Sequence, residues 1–205
     1  MKSRALALAA LATLAAAMAS PAWAVAPAPL PVASYQLSHN GPDFYGYNDP
    51  GTDLTDGVMD VQVGGGYWAW SPYVLWDGVS PTITFDLGSV HQVDHIEAHF
   101  LAYPSAAVTL PVSASVRYSV DGVSFSSAQV VPAHDGLALS NDLPVTLSFL
   151  TPGAGRFVEL TLGTPGRWMA LSEVQLMAAP VPEPDAALLM LAGAGVLLAA
   201  RRRKA

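Results

Sequence analysis

Apolar and polar residues alternate with a period of two through most of the chain. Thr82 to Leu87 alternates, and so does the run carrying Ile96, Ala98 and Phe100. Between Ser113 and Val120 the apolar positions Ala114, Val116, Tyr118 and Val120 fall on one face. Val145 to Phe149, Phe157 to Leu162 and Met169 to Met177 repeat the pattern. A period of two is that of a strand with one buried face. Turn residues bound each run: Leu87-Gly88-Ser89, Asp121-Gly122, Pro152-Gly153, and Thr164 to Gly166. Asp121-Gly122 predicts a tight hairpin between two short strands. No stretch between the two ends of the chain has a helical period. The expected fold is all-β, an antiparallel β-sandwich of the jelly-roll kind.

The two ends depart from this pattern. Lys2 and Arg4 precede an apolar run, Ala5 to Ala19, and Ala22-Trp23-Ala24 supplies a small-x-small cleavage site. Residues 1–24 therefore read as a secretory signal peptide, cleaved after Ala24. Residues 25–33, rich in proline, read as a stiff extended lead-in. A single domain is expected over 34–178, and 179–205 form the third piece. There an apolar run, Ala186 to Ala200, ends in Arg201, Arg202, Arg203 and Lys204. As a helix it would measure about 22 Å, short of the roughly 30 Å hydrocarbon layer, so a marginal membrane span is expected. Basic residues at one end only would keep that end cytoplasmic and the remainder of the chain outside.

With the ends set aside, the charge changes. Only Arg117, Arg156 and Arg167 remain basic, against fourteen acids, a net of −11 for the body. Nucleic acid is excluded as a partner, because phosphate binding needs clustered cations. Acidic polysaccharide would be repelled unless a divalent cation bridged the two; neutral glycans and cations are the permitted partners. The chain has no cysteine. An exported domain of this kind is held by its core, with a metal as the other available clamp.

Val181 to Pro184, the apolar run and the arginine cluster, in this order, resemble the PEP-CTERM sorting signal of Gram-negative, exopolysaccharide-producing bacteria. The resemblance implies that an exosortase, a membrane-embedded cysteine protease-transpeptidase, recognises Pro182, Glu183 and Pro184 and removes the helix beyond them. Arg201, Arg202 and Arg203 are the basic part of the signal. The implied location is the cell surface or extracellular matrix, reached after transient anchoring in the inner membrane. A plain C-terminal anchor is the alternative.

The body resembles the discoidin-type (coagulation factor type C) branch of the galactose-binding-like jelly rolls. Leu54 to Gly57, Trp76, Ile83 to Gly88, Ser115 to Gly122, Arg156 to Leu160 and Ala170 to Leu176 carry the resemblance across roughly Ser34 to Met177. The vertebrate cysteine pair is missing. The resemblance implies a structural calcium site at Leu54 (by its carbonyl), Asp56, Gly57 and Glu173, which would pin the first loop to the last strand. Oxygen ligands from a loop suit calcium; Asp53 and Asp60 are near enough in sequence to add charge. The alternative is that Asp56-Gly57 is only a turn and Glu173 only a surface residue.

Tyr67, Trp68, Trp70, Tyr73 and Trp76 crowd a loop-like stretch after Gly64 to Gly66. Exposed rings stack on the apolar faces of sugars and offer N–H or O–H groups to their hydroxyls. Tyr67, Trp68, Trp70 and Tyr73 are the ligand-binding candidates, with Tyr103 to Ser105 and His134-Asp135 as adjoining loops; Trp76 is assigned to the core. His95, Glu97 and His99 share one face of a strand, opposite the core, more in keeping with a solvated face than with a metal site. Gly-x-Ser-x-Gly, His-Glu-x-x-His, a phosphate loop and a cysteine nucleophile are all missing, so no enzyme is expected. The function expected is an exported, non-catalytic envelope or matrix protein binding neutral glycan or exopolysaccharide. A purely structural matrix or surface protein is the alternative.

Overall fold

The computed structural model describes residues 27–43, 46–60, 62–63, 67–68, 72–133, 142–164 and 166–180, with side chains left aside over 61–71 and 134–141. The signal peptide, the sorting segment beyond Pro180, and Trp70 lie outside these residues. Residues Pro27–Ala179 form one compact unit.

The strands are β1 (Ser34–Leu37), β2 (Gln62–Val63), β3 (Tyr67–Trp68), β4 (Val74–Asp77), β5 (Thr82–Ala102), β6 (Ser113–Ser119), β7 (Gln129–Pro132), β8 (Leu143–Phe149), β9 (Gly153–Gly163) and β10 (Trp168–Ala178). Every strand pairing is antiparallel. β5 belongs to two sheets. Its first part, Thr82 to Asp86, lies between β1 and β9, and β9 continues through β6 to β7. Its last part, Ile96 to Ala102, lies between β8 and β10, with β4 beyond β10. The passage between the two parts is irregular: the register with β9 shifts between Asp86 and His91, and Gly88 has φ 75°. The sequence predicted a turn and two strands here. Gly88 makes the bend, as expected, but the pairing with β9 lapses only from Asp86 to His91 and then resumes in the same strand.

One core joins the two sheets. Ile83 and Phe85 from the first part of β5 share it with Ile96, Ala98 and Phe100 from the second. Val116 of β6, Leu160 of β9 and Leu176 of β10 complete it. These are the inward positions that the alternation marked. A second, smaller apolar cluster consists of Tyr73, Leu75, Leu101, Val108 and Ala170, with Tyr47, Tyr103 and Trp168 against it. It explains why Tyr73, Val74, Leu75 and Trp76 are all buried without alternation.

One expectation is corrected. Asp121-Gly122 does turn the chain, and Gly122 has φ 74°. The partner strand β7, however, starts only at Gln129, so the connection is a longer loop. Asp121 organises it: Oδ1 accepts from the Val123 and Ser124 amides and from the Ser119 hydroxyl, which holds its carboxyl down at about 2. The proline-rich lead-in, expected to be stiff and extended, lies along the sheet. The Leu30 amide donates to the Leu176 carbonyl at 2.7 Å, the Ala178 amide to the Ala28 carbonyl at 2.8 Å, and Leu30 and Val32 pack on the core. Pro29 and Pro31 lack N–H groups, but Leu30 between them has one and turns it toward β10, so the segment can flank the sheet as an edge.

Candidate functional site

The loop between β1 and β2 is built around Asp49. Its Oδ1 accepts from the amides of Gly51, Thr52 and Asp53, and its Oδ2 accepts from the Tyr35 hydroxyl at 2.6 Å. Tyr35 in turn accepts from the Leu54 amide at 3.1 Å. Burial, and then the Asp49 carboxylate, push the Tyr35 hydroxyl pKa up. Asn40 ties Gly41 to Asp49 within the loop: its Oδ1 accepts from both amides and its Nδ2 donates to the Asp49 carbonyl. Leu54, on a short 3-10 turn, Asp53–Thr55, is fully buried and anchors the turn in the core.

This fixes where Asp56 and Gly57 sit. Gly57, at φ 81°, donates its amide to Oε2 of Glu173 at 3.1 Å. Glu173 follows an irregularity in β10, where the register with β5 shifts between Leu171 and Glu173. Ser172 occupies that shift and donates its hydroxyl to the His99 carbonyl at 3.1 Å. Glu173 is only 4% exposed, and among the described residues it has no arginine, lysine or histidine partner. Burial raises its carboxyl to about 7; the Gly57 amide opposes the rise and Asp56 adds to it. Asp53 is also raised, by burial first and then by Asp49 and Asp56. Asp56 spends Oδ1 on the Val58 amide at 2.8 Å.

The structure thus brings Leu54, Asp56, Gly57 and Glu173 into one neighbourhood. Asp56, Gly57 and Glu173 line a recess of about 400 Å³, walled on one side by Pro29 to Val32. A buried carboxylate with one N–H donor and no counter-charge, beside a second carboxylate, suits a hard cation. Asp60, the more distant acid, is instead the acceptor of the Tyr73 hydroxyl.

The aromatic candidates separate. Tyr73 is 1% exposed, packed in the smaller apolar cluster with its hydroxyl on Asp60, and burial pushes that hydroxyl pKa up. It is a core residue and cannot stack on a ligand, which corrects the expectation. Tyr67 and Trp68 form β3, paired with β2, and their side chains are outside the description, as is Trp70. Trp76 is buried, as expected, and its indole N–H donates to the His39 carbonyl at 2.8 Å.

Three rings not singled out as ligand-binding residues meet at the loop-rich end of the sandwich. Tyr47 and Trp168 are 6.3 Å apart, ring centre to ring centre, at 68°, an edge-to-face pair. Tyr103 lies against the same apolar cluster, and all three are partly exposed. Backbone bonds fix the place: Thr109 donates to the Trp168 carbonyl, and Tyr103 and Val108 bond each other in both directions. The signal that could have pointed to Trp168 is its place just after the Thr164 to Gly166 turn, where β10 opens.

The β5 histidines His95 and His99 engage separate partners. His99 is 7% exposed, not solvated, because β8 and β10 flank it; its Nδ1 pairs with the Thr146 hydroxyl at 2.9 Å. His95 sits between Asp94 and Glu97. Among the described residues no three His, Cys, Asp or Glu side chains converge as a metal cluster.

Residues 180–204 match the PEP-CTERM protein-sorting motif. Among the described residues no helix is long and apolar enough to cross a membrane. A comparison with curated proteins finds no match. Solved structures are similar in fold. A mutant lectin binding domain of Lectinolysin, complexed with Lewis b, has a TM-score of 0.50 at 18% identity, covering 74% of this chain and 96% of that one. The CBM32 of AlyQ, in complex with 4,5-unsaturated mannuronic acid, scores 0.45 at 17% identity, over 74% and 99% of the two chains. The family 32 CBM of Clostridium perfringens NanJ, in complex with galactose, scores 0.43 at 15%, over 74% and 98%. At such identities the likeness is one of fold: the antiparallel β-sandwich that the discoidin resemblance implied.

Proposed function

We propose that this is an exported, non-catalytic protein of the cell envelope or extracellular matrix that binds neutral glycan or exopolysaccharide. The observation that carries the reading is the meeting of Tyr47, Tyr103 and Trp168 at the loop-rich end of a sandwich with a lectin-type fold. Partly exposed rings backed by a packed cluster are held rigid, so stacking a sugar on them costs little conformational entropy. Tyr67, Trp68 and Trp70 remain ligand-binding candidates on the sequence pattern alone. The −11 charge of the body favours a neutral ligand.

Calcium is the proposed structural cofactor, with the Leu54 carbonyl, Asp56, Gly57 and Glu173 as its holders. When bound it would supply the positive charge that the buried Glu173 carboxylate otherwise lacks. These residues would then clamp the Asp53–Thr55 turn to β10, the service that a disulfide gives other exported domains.

The C-terminal match supports recognition of Pro182, Glu183 and Pro184 by an exosortase, with the apolar run and Arg201, Arg202 and Arg203 as a transient inner-membrane anchor. The proposed destination is the surface or matrix of a Gram-negative bacterium. A pull-down on purified exopolysaccharide tests the binding function: saturable binding lost in Trp168→Ala is expected. No binding by folded protein would overturn it in favour of a purely structural role.

A further inference from the structure

Eight large apolar side chains are exposed among the described residues, and four of them, Val90, Val120, Val123 and Leu150, are between 54% and 83% exposed at one end of the sandwich. Strand register puts them there. His91 pairs with Gly155, Gln92 with Ala154, and Val93 with both Gly153 and Ala178. Ser119 pairs with Phe157, two residues from Gly155, and Ile96 with Phe149. The Tyr118 hydroxyl reaches the Thr151 carbonyl, and Gln129 reaches the carbonyl of Pro152 at 3.1 Å. The β5 bend, the loop after β6 and the loop after β8 therefore form one surface. It is opposite the loops that carry Tyr103 and Trp168.

Of the three carboxylates here, Asp86 is paired with an arginine and the other two are held by hydrogen bonds. Asp86 is held by Arg156 through two bonds of 2.8 and 2.7 Å, Asp94 by His95, and Asp121 by its own turn. The chain also leaves the body at this surface: the Ala179 amide donates to the Gln92 carbonyl at 3.1 Å. From Ala179 to Ala186, where the apolar C-terminal run begins, a fully extended chain reaches at most about 25 Å. While that run is held in a bilayer, this end cannot be far from lipid.

We propose that the Val90, Val120, Val123 and Leu150 end is a membrane-resting surface, seated in the zwitterionic interfacial layer of the bilayer that holds the C-terminal run. The inference rests on the reading of that run as an anchor. A few aliphatic side chains bind lipid weakly alone, but a short tether supplies a high effective concentration. The arrangement turns the Tyr47, Tyr103 and Trp168 end away from the membrane.

The absence of cysteine allows single-site labelling without background. Full-length Val123→Cys and Val112→Cys, each carrying a nitroxide, would be reconstituted into phosphatidylcholine vesicles. Val112 is the control: it is exposed, and its amide donates to the Gly163 carbonyl at the opposite end. On reconstitution the Val123 label should lose collisions with a water-soluble nickel chelate several-fold and gain them with oxygen, while the Val112 label is unchanged. If both labels stay equally open to the chelate while the chain floats with the vesicles, the proposal is overturned and the anchor reading stands. A full-length chain that does not float with vesicles overturns both.

Discussion

The carboxylate of Glu173 accepts the backbone amide of Gly57 at 3.1 Å, joining the first loop of the sandwich to its last strand across 116 residues of sequence. Burial raises the Glu173 carboxyl to about 7 from an ordinary 4.5, with the Gly57 amide opposing the rise. The folded state thus holds the Glu173 proton more tightly than the unfolded chain does. Stability contributed by protonated Glu173 is present below about 4.5 and is lost as pH rises through about 7. In chelator, thermal unfolding of the body spanning Val25 to Pro180 should therefore move to lower temperature between pH 5 and 8. Glu173→Gln should flatten that slope. A wild-type slope matched by Glu173→Gln would contradict the assignment.

Calcium should reverse the trend. A ligand bound only to the folded state stabilises it, by about 2.7 kcal/mol at a hundred times its Kd. The added stability should be larger at pH 8 than at pH 5, because the ion competes with the Glu173 proton. Chelation at pH 8 that leaves the melting temperature in place would dispose of the calcium site.

Gly153 and Tyr118 supply a test of the core. A Cβ on Gly153 would lie 2.3 Å from the Tyr118 ring, whose hydroxyl is fixed on the Thr151 carbonyl. Gly153→Ala should cost about 2 kcal/mol or more by overpacking, read as a lower denaturant midpoint. Gly46→Ala is not a matched control, since Gly46 has φ 72°; Ala154→Ser, at an exposed site, is.

Processing has its own variant. Replacing Pro182, Glu183 and Pro184 with alanines should leave full-length protein in the membrane fraction of its native host. Normal maturation of that variant would rule out recognition of the triplet.

The strands were legible because one core takes one face of each: Ile83 and Phe85, or Ala114, Val116 and Tyr118, alternate with residues that meet solvent or a neighbouring loop. The continuity of β5 was not, since Gly88 reads as a stop and only the surrounding ladder shows a bend. Tyr73 was misjudged because a second apolar cluster covers the outer side of β4 and β10, and burial on both faces erases the alternation that would have revealed it. The docked segment from Ala28 to Ala33 was hidden by its prolines, which look incompatible with pairing until the single amide of Leu30 is seen to face β10. The cation-type site was legible only through family resemblance. Glu173 lies 116 residues beyond Gly57, and no local spacing rule joins it to the Leu54 to Gly57 loop. Trp168 was visible as a residue, but its meeting with Tyr47 and Tyr103 depends on three separate loops.

The central claim is glycan binding at the Tyr47, Tyr103 and Trp168 end. The most direct measurement is a glycan array probed with the body spanning Val25 to Pro180, wild type and Trp168→Ala, with and without calcium. Saturable binding to a neutral glycan, weakened more than about tenfold by Trp168→Ala, is the predicted result. A blank array from folded, calcium-loaded protein would contradict the account and leave the sandwich as a structural element of the matrix.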